Sequence, residues 1–152
     1  YLIAGDGEEK DYLKSLIKER NLVDHVFMLE HITEQEKFSL LAKSEIFIML
    51  NHTLGSSDFE GFGISFVEAQ FLENVIIGGA SGGVVESVSH DESGFLFDLE
   101  SESVQDEVRE KVNYLINTPI VRSEMQSSAK KYVVQNFEIE SLIHNSKNES
   151  IT

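Results

Sequence analysis

Ile46-Phe47-Ile48-Met49-Leu50 and Val75-Ile76-Ile77 are two runs of large apolar residues, and between them lies Ile64-Ser65-Phe66-Val67-Glu68-Ala69-Gln70-Phe71-Leu72. The outer runs have strand length and are unbroken by polar residues, as expected of strands covered on both faces. The middle stretch reads as a helix, with Ile64, Val67, Glu68 and Phe71 at i, i+3, i+4 and i+7 on one face. Strand, helix, strand at this spacing is the unit of a parallel sheet.

The same alternation continues outward in both directions. Tyr1-Leu2-Ile3-Ala4 reads as a strand closed by the turn Gly5-Asp6-Gly7. A helix is expected over residues 8–21, with Tyr12, Leu13, Leu16 and Ile17 on its apolar face. Residues 26–29 form the next strand. Thr33 then stands as an N-cap with Glu36 as its capping-box partner, opening a helix to about residue 43. Downstream, the glycine-rich turn Gly78-Gly79-Ala80-Ser81-Gly82-Gly83 leads into a short helix over 84–89. Gly94 precedes the strand 95–97. Val104, Val108, Val112, Leu115 and Ile116 mark an amphipathic helix that ends near Asn117-Thr118-Pro119. A last helix carries Met125, Ala129, Tyr132 and Val133, and a weakly helical tail, 137–152, turns polar. The expected fold is α/β, a parallel sheet with helices on both faces. In such sheets ligands bind beyond the carboxyl ends of the strands.

Composition narrows the function. The 152 residues carry 12 Lys+Arg against 27 Asp+Glu, a net charge of −15. So acidic a chain is a poor partner for nucleic acid or an anionic membrane, both of which need positive charge facing phosphate. There is no cysteine, hence no disulfide framework and no thiolate zinc site. No apolar run approaches the roughly 20 residues that span a bilayer. A strand at residue 1, without an initiating Met, reads as part of a longer polypeptide.

The chemistry concentrates in Glu60-Gly61-Phe62-Gly63-Ile64-Ser65-Phe66-Val67-Glu68. Glycines at a helix start let a ligand approach the backbone, and the free N–H groups there suit a phosphate. Glu68 lies on the order of 7 Å inside the helix and leans back toward its start. Two carboxylates flanking a phosphate cradle suit hydroxyl groups on either side of a diphosphate, the layout of a nucleotide sugar. A second glycine-rich turn, 78–83, lacks the Lys-Ser/Thr of a P-loop and the G-x-G-x-x-G spacing of a nicotinamide site. The five histidines show no metal-ligand spacing; His31 and His52 lie on ligand-side loops.

Taken in order, Gly5-Asp6-Gly7, Glu60-Gly61-Phe62-Gly63 through Glu68, and Ser81-Gly82-Gly83-Val84-Val85-Glu86 with Gly94-Phe95-Leu96 resemble the C-terminal domain of group-1 retaining glycosyltransferases. These enzymes have two Rossmann-like domains, the GT-B architecture, and the resemblance covers nearly all of residues 1–152. It implies transfer of a sugar from a nucleotide-sugar donor to an acceptor glycan or lipid-linked acceptor, with retention, as in polysaccharide biosynthesis. It implies that Glu60 orients the donor sugar as the catalytic residue and that Glu68 binds the ribose hydroxyls. Amides near Gly61, Phe62, Gly63 and Ile64 would serve the sugar and diphosphate, with Gly5 nearby. Glu30-His31-Ile32 would line the base. No metal or cofactor is implied.

The resemblance also implies that the acceptor binds an N-terminal domain outside this chain. The family's diphosphate-clamping Arg and Lys, on the domain's first strand and helix, likewise fall outside it. A cytoplasmic location follows, peripheral to the inner membrane face at most and only through that other half. The chain alone is then expected to be inactive. Asn51-His52, Glu73-Asn74-Val75 and Val85 depart from the family's usual Pro-Ser-like pair, Gly-x-Pro and Pro. The alternatives are a non-catalytic nucleotide-sugar-binding or interaction module, or a nucleotide-sugar epimerase or phosphorylase of similar architecture.

Overall fold

The computed structural model describes residues 1–50 and 63–137. In order, the elements are β1 (Leu2–Ala4), α1 (Lys10–Glu19), β2 (Phe27–Leu29), α2 (Glu34–Leu41), β3 (Ile46–Met49), α3 (Ile64–Phe71), β4 (Val75–Gly79), α4 (Val84–Ser87), β5 (Gly94–Phe97), α5 (Val104–Asn117) and α6 (Pro119–Asn136). All strand pairings are parallel, but the strands fall into two sheets: β1-β2, and β3-β4-β5 with β4 in the centre. The chain divides into two units, Tyr1–Lys37 and Phe38–Thr152.

In the first unit, β1 and β2 pair with Leu2 opposite Phe27, Ile3 opposite Met28 and Ala4 opposite Leu29. Leu13, Leu16 and Ile17 of α1 are half-buried, whereas Tyr12, expected on the same face, is 62% exposed. Helix α1 ends in two reverse bonds, Asn21 N to Lys18 O and Leu22 N to Ile17 O, with Asn21 at φ 55°. Asparagine tolerates this left-handed turn better than most residues. The capping box that opens α2 forms as expected. Thr33 N donates to Glu36 Oε2 at 2.8 Å, and Glu36 N donates to Thr33 Oγ1 at 3.2 Å. The Thr33 amide holds the Glu36 carboxyl below its usual range.

The second unit holds the core. Side chains of β4 alternate between two apolar layers. Ile76 packs with Leu41, Phe66, Ala69, Val84 and Val88 on one face; Val75 and Ile77 pack with Phe95, Phe97, Leu115 and Met125 on the other. Helices therefore cover both faces, α3 and α4 on one side, α5 and α6 on the other. Helix α3 differs from the amphipathic expectation. Residues Phe66, Val67, Glu68, Ala69 and Gln70 are consecutively buried, while Ile64 is 61% exposed. A helix surrounded in this way carries no one-sided stripe. It closes with Asn74 N on Ala69 O and Glu73 N on Gln70 O, Glu73 taking the left-handed turn at φ 61°. Asn74 is buried and donates through Nδ2 to Leu41 O at 2.8 Å.

Gly78 and Gly79, expected in a loop, are the last residues of β4. Pro119, expected to stop α5, does so by opening α6, where its fixed φ suits the first helical turn. Arg122 Nη2 pairs with Glu45 at 2.9 Å and its Nη1 donates to Leu115 O, while Arg109 pairs with Asp106 along α5.

Candidate donor site

In the second unit the site is built on the first turns of α3. Gly63 takes φ 60°, and its carbonyl accepts from Phe66 N at 2.8 Å. A Cβ there would stand 2.8 Å from the Phe66 ring, so both backbone conformation and space demand glycine. The Phe66 ring is fully buried, meets Phe47 edge-on at 5.7 Å, and reaches across to Gly78, where a Cβ would come within 3.0 Å of it. Phe66 thus seats the helix start against the carboxyl end of β4. Ser87 Oγ lies 3.7 Å from where a Gly63 Cβ would stand, placing α4 against the same turn. Glu68 sits one turn further in and is 6% exposed. Its carboxylate is withdrawn from bulk water, a position that favours a specific hydrogen-bonding role over general solvation. Glu60, Gly61 and Phe62 lie outside the described residues, as does His52.

In the first unit, Gly5, Glu30 and His31 come together at the carboxyl ends of β1 and β2. Gly5 N donates to Leu29 O at 3.0 Å, at φ 142°. Glu30 is gripped by two lysines of α1, Lys10 Nζ at 2.6 Å and Lys14 Nζ at 2.8 Å. Those hydrogen bonds, Lys10 first, lower its carboxyl from the ordinary 4.5 to about 2. His31 follows at φ 45°, with Nε2 3.5 Å from Asp6 Oδ2, and Ile32 is half-buried. A non-glycine residue in the left-handed region is mildly strained. The two lysines were legible only as an i, i+4 pair after β1.

The Glu30 pairs give a pH prediction. A carboxyl whose pKa falls on folding stabilises fully above its unfolded value and loses that effect as pH drops through its folded value. Glu30→Gln is therefore expected to lower stability at neutral pH. The difference should shrink below about pH 4.5 and vanish near pH 2. Urea unfolding of both proteins across this range checks it; a pH-independent difference contradicts it.

Among the described residues, no cluster of three His, Asp or Glu side chains could hold a metal ion, and no helix is long and apolar enough to cross a membrane.

The family model "Glycosyl transferases group 1" matches residues 1–132. A GDP-mannose-dependent alpha-(1-6)-phosphatidylinositol monomannoside mannosyltransferase of Mycobacterium tuberculosis is 33% identical over 111 residues, covering 72% of this chain and 29% of the relative. A poly(ribitol-phosphate) alpha-N-acetylglucosaminyltransferase of Staphylococcus aureus is 24% identical over 142 residues, covering 93% of this chain and 27% of the relative. The structure of Anabaena HepE in complex with UDP-glucose superposes with a TM-score of 0.69 at 23% identity, over 97% of this chain and 39% of that one. The chain thus spans less than a third of the length of these two curated relatives. The fold is that of one half of the two-domain GT-B architecture.

Proposed function

Since the chain belongs to the group 1 glycosyl transferases, we propose that it supplies the nucleotide-sugar-binding half of an enzyme that transfers a sugar with retention. The observation that carries this reading is the start of α3. It is a glycine-fronted helix terminus with no room for a side chain at Gly63, backed by a carboxylate withdrawn from water at Glu68. The terminus suits the donor diphosphate. Glu68 accepts from the ribose hydroxyls, and Glu60 holds the donor sugar in its reactive orientation, with Gly61, Phe62 and Ile64 contributing backbone amides. Glu30-His31-Ile32 lines the base. The Glu30 carboxylate is engaged with Lys10 and Lys14, so it shapes the loop.

Relatives named for GDP-mannose and N-acetylglucosamine transfer, and a neighbour solved with UDP-glucose, support a nucleotide-sugar donor. Binding of the acceptor, a glycan or lipid-linked molecule, falls to another part of the full protein. The reaction proceeds without a metal, since the helix terminus and clamping side chains outside this chain neutralise the leaving diphosphate. The enzyme works on the cytoplasmic side.

Transfer from UDP-, GDP- and ADP-sugars by the full-length protein, with the product anomer read by NMR, tests this. Retained configuration from one donor is expected, with no transfer by residues 1–152 alone. Inverted product, transfer by the fragment, or no transfer by the full protein contradicts it. A non-catalytic binding module would keep its function in Glu60→Gln; here that variant should lose transfer by about 100-fold or more.

A further inference from the structure

Gln70 is a polar residue in the middle of the buried stretch of α3, with no exposed surface. Its Nε2 donates to Phe66 O at 3.2 Å, one turn back in the same helix, and to Ser87 O at 2.7 Å, the last residue of α4. Its Oε1 is also buried and has no hydrogen-bond partner among the described residues. Stranding a buried acceptor is costly. A methionine would fill the same space and spare Oε1, being unbranched and adaptable, but it would take the donor away from the carbonyl of the buried Ser87. Packing alone does not account for the amide. What the amide adds is a tie between two helices.

Both helices start from a glycine. Helix α3 begins at Gly63, and α4 follows Ser81-Gly82-Gly83, with Gly82 at φ 53°. The two starts are already close, because Ser87 Oγ lies 3.7 Å from the Cβ position of Gly63. Phe66, whose carbonyl Gln70 also holds, packs against Gly63 and Gly78 together. Gln70 therefore bonds to one residue that touches Gly63 and the end of β4, and to one that lies against Gly63.

We infer that Gln70 is a positioning residue that holds the turn 80–83, which follows β4, and the start of α3 as one rigid cradle for the donor. This rests on the donor-site reading of α3. The cradle then has two walls, and Gln70 sets the distance between them without contacting the ligand.

Gln70→Met in the full-length protein removes the tie and keeps the bulk. Its Tm should fall only modestly, because the loss of a donor at Ser87 O is offset in part by removal of the unpaired Oε1. Amide exchange over Val84–Ser87 should quicken by about 10-fold, and the Kd for the nucleotide sugar the wild type binds should rise by about 10- to 100-fold. Gln70→Glu separates the tie from packing. A protonated carboxyl donates to Ser87 O and a carboxylate cannot, so its donor affinity should recover as pH falls, with no recovery in Gln70→Met. Unchanged exchange overturns the inference, and so does faster exchange with an unchanged Kd. If the wild type binds no nucleotide sugar, the donor-site reading fails separately. Faster exchange in Gln70→Met then supports the tie, and unchanged exchange overturns it.

Discussion

Gly94→Ala should destabilise the protein by about 3 kcal/mol, the upper end for an overpacked interior. A Cβ at Gly94 would stand 2.4 Å from the carbonyl oxygen of Ile76 and 2.9 Å from its carbonyl carbon. Those are backbone atoms of the central strand of a three-stranded sheet, and Ile76 pairs with Gly94 in register. No rotamer change relieves the contact, so the β4–β5 ladder has to open. Its opening would disturb both apolar layers that alternate along β4. A melting temperature lower by about 6–12 °C follows for a domain of this size. Gly78→Ala provides the comparison. There the nearest atoms, at 3.0 and 3.1 Å, belong to the Phe66 and Leu96 side chains, which can shift by a few tenths of an ångström. Thermal unfolding of the two variants should rank Gly94→Ala well below Gly78→Ala. Equal melting temperatures would show that the ladder yields more easily than its burial suggests.

Glu68→Gln should weaken donor binding by about 10- to 150-fold, the loss expected when hydrogen bonds to a charged group become bonds to a neutral one. The carboxylate can accept from two neighbouring ribose hydroxyls at once. A glutamine offers one oxygen and turns an NH2 group, itself a donor, toward the other hydroxyl. The substitution keeps the volume of a residue that is 6% exposed, so the fold should survive it. Calorimetric titration of the full-length protein with its nucleotide sugar, beside a thermal melt, separates the two roles. Undiminished affinity with a lowered melting temperature would make Glu68 a structural residue and remove it from the site.

Much of the fold is legible in the residues that decide it. Two β-branched and aromatic runs around residues 64–72 read as strand, helix, strand because strands covered on both faces need no polar alternation. Thr33 and Glu36 announce their capping box through spacing alone. Other features depend on partners distant in sequence. Gly78-Gly79 looks like a loop, and it is strand because both residues pair with β5; Gly78 is glycine because the Phe66 ring and Leu96 take the space of a side chain. Gly94 looks like a turn residue, and it is glycine because Ile76 O passes so close. Helix α3 looked amphipathic through its 3.6-residue spacing, but it is surrounded on all sides, and Ile64, counted with the buried stripe, faces out. Tyr12 deviates in the same way on α1. A single parallel sheet was the natural expectation; the hydrogen bonds divide it into β1-β2 and β3-β4-β5.

The candidate site was legible to a similar degree. The glycine-fronted start of α3 and the burial of Glu68 follow from the motif 60–68, though its first three residues lie outside the described ones. The engagement of Glu30 by Lys10 and Lys14 was not legible, because it depends on how α1 lies across the end of β2. Gln70 also stayed hidden. One polar residue in an apolar helix has no meaning until its partner, Ser87, is seen on another helix.

The most direct measurement is an amide NMR titration of the full-length protein with UDP, GDP, ADP and the corresponding nucleotide sugars. A donor site on α3 requires saturable shifts for one base at Gly63, Ile64 and Ser65, and their weakening in Glu68→Gln. Saturable binding that moves none of these amides, or moves them equally in Glu68→Gln, would contradict the site.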